Sequence, residues 1–247
     1  MTILSRDATT FLPASLLPFI KLVAMPFLSI RMHKFYSQFI SSGDLVFDVG
    51  AHMGDMTAVF LSLGASVICV EPQPYCARIL RSRFGANKKV TIIEKGLGRK
   101  EDELALHICE DAPSLSTFSN KWKRGRFSRQ NWNKQVVVPI TTLDSLIATF
   151  GTPTFCKIDV EGSELDVLRG LNTTIPLISF EFTKEFIKDA KACTKRLSSI
   201  TRTKFNYSVY SEFRFWNNEW LDQKELFKIL ELIPDVKLCG DIYARHL

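Results

Sequence analysis

Phe47 to Thr57 reads FDVGAHMGDMT. With the residues before it, DLVFDVG makes an apolar run ending in glycine, and a helix-period segment begins near Met56. A buried strand that stops at glycine and turns straight into a helix opens a βαβ unit. Glycine there permits backbone angles closed to other residues and lets a ligand approach the main chain. SVICVEP follows as the next strand, stopped by Pro72, so Glu71 lies at its end, seventeen residues past Gly54. An acid in that place accepts hydrogen bonds from the hydroxyls of a ribose. Gly50 and Gly54 alone would signal only a tight turn; with Glu71 they point to a nucleoside pocket. The glycines are not spaced GxGxxG, and Asp48 stands just before them. A carboxylate there would repel a pyrophosphate and suits a ligand carrying an ammonium and a sulfonium, so S-adenosylmethionine (SAM) fits better than a dinucleotide.

Outward from this stretch, apolar runs alternate with helix-period segments, the pattern of a parallel sheet covered on both faces. A helix over Tyr75 to Phe84 puts Cys76, Ile79, Leu80 and Phe84 on one face. KVTIIEKG and LALHICE read as the third and fourth strands, and TTLDSLIATF as a helix capped by Thr141 or Thr142. TFCKIDV, a helix through Leu171 and LISFEF follow. Aromatic-rich strands around Tyr207 to Trp216, a helix from Asp222 and a closing strand, KLCGDIYARH, complete the chain.

The stretch KIDVEGSELDVLRG, Lys157 to Gly170, sets three acids where a strand gives way to a helix. Burying a carboxylate without partners costs several kcal/mol, so each needs a role. Ser163 is placed to cap the helix with Asp166 as its capping-box partner, and Glu164 suits the positive end of the helix dipole. Asp159 and Glu161 remain as candidate catalytic groups, one of them accepting a hydrogen bond from an acceptor hydroxyl. Two other readings stay open. Asp159 and Glu161 with Glu181 would form an oxygen-only set for a divalent cation such as magnesium. Or these acids pair with Lys157, Arg169 or a cofactor ammonium.

The 247 residues, 46% hydrophobic and 23% charged, describe an ordinary globular chain and exclude a disordered one. Six cysteines form no CxxC pair, which argues against a zinc site or a cystine scaffold and for free thiols in the cytoplasm. Phe11 to Ile30 is apolar and long enough to span a bilayer, but Pro13, Pro18, Pro26 and Lys21 interrupt it. It reads as a packed N-terminal helical arm, 1–40, ahead of a main domain, 41–247, with peripheral membrane contact through 11–30 left open. No acid occurs between Asp111 and Asp144, a window holding Lys121, Lys123, Arg124, Arg126, Arg129 and Lys134. Those six equal the whole excess of 32 basic over 26 acidic residues. Interleaved with Trp122, Phe127 and Trp132, they suit nucleic acid or an anionic acceptor; the bland alternative is a solvated loop. His33, His107 and His246 stand alone, and PSLSTFS, Pro113 to Ser119, is a candidate cofactor-side loop.

FDVGAHMG, VEPQP, TTLDSL and KIDVEGSELDVLRGL, in this order and spacing, resemble the FkbM-type SAM-dependent methyltransferases over Asp44 to Glu181. The resemblance implies a class I methyltransferase fold: α/β, doubly wound, Rossmann-like, with a mainly parallel seven-stranded sheet whose last strand runs antiparallel. It implies that Asp48, Gly50, Ala51 and Gly54 line the methionine end of SAM, that Glu71 holds the ribose and that Gly96 and Leu97 lie near the adenine. His52 stands where the wider pattern has a second glycine. The implied activity is O-methylation of a hydroxyl on a glycan, glycolipid or natural product, with substrate choice in the arm and in Ser198 to Trp220. A nucleic-acid-directed enzyme is the alternative, disfavoured as a partner class; a cofactor-free scaffold is argued against by the intact Asp48, Gly50, Gly54 and Glu71.

Overall fold

The computed structural model describes residues 29–124, 127–210 and 212–247. Along the chain come helix α1 (29–36), β1 (Leu45–Val49), α2 (Asp55–Ser62), β2 (Ser66–Val70), α3 (Pro74–Phe84), β3 (Val90–Ile93), β4 (Gly96–Leu97) and β5 (Asp102–Ile108). After them come α4 (Asn120–Arg124), β6 (Lys134–Thr141), α5 (Leu143–Phe150), β7 (Phe155–Ile158), α6 (Glu164–Arg169) and β8 (Leu177–Thr183). The last elements are α7 (Ile187–Ile200), β9 (Thr203–Val209), α8 (Gln223–Leu232) and β10 (Cys239–His246).

Seven strands form the main sheet in the order β3-β2-β1-β7-β8-β10-β9. Every neighbouring pair from β3 to β8 is parallel, and β10 runs antiparallel between β8 and β9. The chain leaves β1 outward to β2 and β3, then returns to place β7 on the other side of β1. The strand order therefore reverses between β1 and β7, and in open α/β sheets the crevice at such a point takes the ligand. Helices cover both faces. On one, Phe47, Val49, Ile158 and Phe180 pack against Leu143, Leu168, Leu197 and Leu226 of α5, α6, α7 and α8. On the other, Val46, Val67 and Phe155 pack against Tyr36 and Phe60 of α1 and α2.

Residues 29–40, the described end of the arm, pack on the main domain. Met32, Phe35, Tyr36 and Ile40 are buried in the main core, and Tyr36 meets Phe60 edge-on at 5.2 Å. The rest of the arm, with nearly all of the stretch for which membrane contact was left open, lies outside the described residues. Among the described residues no helix is long and apolar enough to cross a membrane.

The strand LALHICE does not extend the main sheet. It forms β5, which with β4 and β6 makes a separate three-stranded sheet in the order β4-β6-β5. Nor does the aromatic stretch after Tyr207 form strands beyond Val209; Phe213, Phe215 and Trp220 instead pack as loop residues on the α1 face. Thr142, not Thr141, caps α5, accepting from the Ser145 amide at 3.0 Å.

Candidate functional site

β1 ends at Val49, and the Gly50 and Ala51 amides both donate to the Val70 carbonyl, drawing the loop over the end of β2. Gly50 has φ 78°, and a side chain there would overlap the carbonyl oxygen of Asp159 at the end of β7. Its small size thus lets the two inner strand ends meet. Gly54 serves packing: a Cβ would run into Leu80 and Phe84 of α3. Ala51 is buried among core residues. Asp48 is 1% exposed and accepts from Thr57 Oγ1 at 2.6 Å. Burial raises its pKa, opposed by Lys157 and Thr57.

Beside this loop lies a partly open cavity. Gly50, Glu71, Gly96, Leu97, Asp159 and Glu161 line it, so the structure brings both expected groups, cofactor-side and acceptor-side, to one wall. Asp48, Ala51 and Gly54, expected on the methionine end, do not line it and instead support the loop from behind. The candidate loop at Pro113 to Ser119 does reach the cavity, through Pro113, Ser114, Ser116 and Phe118.

Glu71 is 6% exposed, with Oε2 accepting from the His52 amide and Oε1 from the Gln73 amide, each at 2.8 Å. Burial pushes its carboxyl up to about 7, against those two donors. Each oxygen keeps a second lone pair for a ribose hydroxyl. Gln73, within VEPQP, and Ser116, within PSLSTFS, had no side-chain role assigned from the sequence. Gln73 Nε2 donates to Ser116 Oγ at 2.8 Å, and that oxygen also accepts from the Cys109 amide at 3.1 Å.

The acid-rich turn after β7 is built differently from the capping box expected. Ser163 makes no side-chain cap hydrogen bond. Glu164 folds back instead, its Oε1 accepting from the Val160 amide at 3.2 Å and the Gly162 amide at 3.1 Å. The turn needs this brace because Glu161 sits at φ 53°, a conformation that costs a non-glycine residue about 1 kcal/mol or more. Burial raises the Glu164 carboxyl to about 7. Glu164 is structural, as read from the sequence, through its own side chain rather than the helix dipole.

Asp159 pairs with Lys157, Nζ donating to Oδ2 at 2.7 Å; the lysine side chain is 8% exposed and that of the aspartate 32%. Burial opposes the lysine's charge, but Asp159, Asp241 and Asp48 outweigh it and raise its pKa. The pairing reflects a row across the sheet. Strand register aligns Cys69, Asp48, Lys157, Ser179, Tyr243 and Asn206 on neighbouring strands, and all of them are buried. Nearer the strand ends, Glu181 faces Asp241 and Asp241 faces Ser208. Carboxylate oxygens of Asp159, Glu161 and Glu181 lie within 4.8 Å of one another. Arg169 belongs to Asp166 instead, at 2.9 Å.

The basic segment is not an open loop studded with rings. Trp122 and Phe127 are 3% and 8% exposed and form a small core with Cys109 and Leu115, against which Trp132 and Phe186 pack. Trp122 also covers Gly162, where a Cβ would come within 2.9 Å of its ring. Lys121 pairs with Asp189 at 3.1 Å, and Lys123 Nζ lies 3.1 Å from the His107 ring. Trp122, one of the rings that would suit base stacking, thus lies against the acid-rich turn.

A seven-stranded doubly wound sheet with β10 reversed, and a strand-end acid beside a glycine loop at the switch point, define a SAM-dependent methyltransferase. The model of the methyltransferase FkbM domain matches residues 48–226, and the chain belongs to that family. A curated relative, the 2-O-methyltransferase NoeI of Sinorhizobium fredii, is 22% identical over 91% of this chain and 88% of its own length. A chloroplastic ribosomal RNA small subunit methyltransferase of Arabidopsis thaliana is 29% identical over 28% of this chain and 18% of its own. Among solved structures, precorrin-6y C5,15-methyltransferase from Geobacter metallireducens aligns with TM-score 0.48 and 9% identity over 88% of this chain and 87% of that one.

The donor set fits the cofactor: a buried carboxylate with spare lone pairs for a ribose, and apolar walls from Leu97, Leu106 and Phe118 for an adenine. Glu71→Ala is expected to weaken SAM binding by about 1.5–3 kcal/mol, roughly 10- to 100-fold, with the protein still folded. Because ionised Glu71 is the better acceptor, wild-type affinity should rise as pH passes upward through about 7. Calorimetric titration at pH 6 and 8 checks both; a flat profile and an unaffected variant would put the ribose elsewhere.

Proposed function

We propose that the chain transfers the methyl group of SAM to a hydroxyl oxygen of a glycan, glycolipid or natural-product acceptor. The observation that carries this reading is the meeting of Asp159, Glu161 and Glu181 within 4.8 Å where the acid-rich turn joins the cofactor cavity. The name of the relative NoeI, a 2-O-methyltransferase, supports the same reaction type.

SAM supplies an electrophilic methyl on a sulfonium, displaced in line by the incoming oxygen. For the protein this is mainly a positioning task. Asp159, partly exposed and held by Lys157, accepts a hydrogen bond from the acceptor hydroxyl, orienting a lone pair and taking up the proton as the oxygen–carbon bond forms. Glu161, on the same wall, is the second acceptor-side group. An ordinary carboxylate is a weak base for an alcohol, so assistance of about 10²-fold is the scale expected. Lys157 already serves as counter-charge to Asp159, and the reading calls for no divalent cation.

Asp159→Asn keeps the shape and the bond to Lys157 through its amide oxygen but removes the proton acceptor. Turnover on a panel of hydroxyl-bearing sugars should fall about 10²-fold with SAM affinity largely kept. Loss of SAM binding in that variant would make Asp159 a cofactor ligand and end the assignment. The nucleic-acid reading has little support from the basic segment, since Trp122 and Phe127 are buried and Lys121 is paired. A gel-shift at about 50 mM salt should show no RNA or DNA binding, low salt being where phosphate contacts are strongest.

A further inference from the structure

We propose that the His52 side chain is a cofactor-positioning group that hydrogen-bonds the aminocarboxypropyl arm of SAM. His52 lines the cavity from within the glycine loop. Its backbone is fixed there, the amide donating to Glu71 Oε2 at 2.8 Å. It holds a left-handed φ of 50°, a strain that glycine would remove, so the fold carries an imidazole at a position better suited to no side chain. Its Nε2 is buried without a hydrogen-bond partner, and such an atom is costly until a ligand completes it.

The wall around it suggests which part of the ligand does so. Glu71, Asp159 and Glu161 bring carboxylates to the cavity, and these suit the hydroxyl and ammonium groups of the cofactor. The cofactor's own carboxylate needs a donor. Gln73 and Ser116 are bonded to each other, and Lys95 stands beside Gly96, on the side assigned to the adenine. His52 lines the cavity together with Gly50 and Asp159, and Gly50 abuts the Asp159 carbonyl, the side expected to hold the methionine end. Burial holds its imidazole below the ordinary range, so near pH 7 it is neutral: Nε2–H can donate to the carboxylate without adding a positive charge beside the sulfonium.

Calorimetry with two ligands tests this, SAM and 5′-methylthioadenosine, which keeps the adenosine and lacks the arm. His52→Gly should lower SAM affinity about tenfold and leave 5′-methylthioadenosine unchanged. His52→Asn, which tolerates the left-handed backbone and carries an amide donor, should recover most of the loss. Thermal unfolding of the glycine variant should match or exceed the wild type, separating lost recognition from lost structure. Wild-type SAM affinity in His52→Gly, or equal losses for both ligands, would overturn the proposal.

Discussion

Gly50→Ala is expected to destabilise the protein by about 4 kcal/mol or more, enough to leave much of it unfolded. Two effects combine. The residue sits at φ 78°, where a Cβ costs about 1–2 kcal/mol. That Cβ would also overlap the Asp159 carbonyl oxygen, which belongs to backbone tied to β1 by the Asp159 amide bonding the Val49 carbonyl at 2.9 Å. Neither strand end can retreat without breaking the pairing at the centre of the sheet. Gly54→Ala makes the contrast, because its Cβ would meet the side-chain ends of Leu80 and Phe84, which can move. A cost of about 1–3 kcal/mol is expected there, from the backbone and modest overpacking. Urea denaturation of both variants decides the matter: equal midpoints for the two would refute the account of the strand ends.

Lys157→Met should cost about 3–5 kcal/mol near pH 8, the scale for removing one partner of a buried pair. Asp159 is partly exposed and can regain water, but Asp48 and Asp241, both in the field of Lys157, would lose that cation. Burial already raises Asp241 to about 6, against the pull of Lys157. In the variant these acids should titrate higher still. A carboxyl whose pKa is raised on folding carries a penalty above that pKa and sheds it as pH falls. The deficit relative to wild type should therefore shrink by about 1 kcal/mol or more between pH 8 and pH 5.5. The wild-type lysine, raised above its unfolded value, keeps its contribution throughout that window. A pH-independent deficit would mean that Lys157 matters only for the packing of its methylenes.

The central βαβ unit was legible because its signals are local: an apolar run, a glycine, a helix period and an acid ending the next strand. The family motif added strand order. Long-range facts were not legible. LALHICE looks like any other strand, and only its pairing with β6 removes it from the main sheet. Trp122 lies in a five-residue helix, too short for a period to show which face is buried. Asp48 was taken for a cofactor contact because of its position beside the loop; its side chain points to Thr57 instead. A lysine within the four-residue buried strand FCKI needs a counter-charge, and the sequence offered only the acids that follow it. Asp48, one strand over at the equivalent position, supplies part of it.

The stretch from Pro113 to Phe118 lines the cavity and is fastened at two points: Ser116 accepts from Gln73 Nε2, and Thr117 Oγ1 donates to the Glu161 carbonyl at 2.6 Å. The second fastening ties it to the turn that presents the acceptor-side acids. If a spent cofactor leaves past this stretch, both fastenings must loosen, and the acceptor side with them. Exchange of product for fresh SAM and release of the methylated acceptor then become linked in time, and the slow step of each cycle would follow the chemistry rather than precede it.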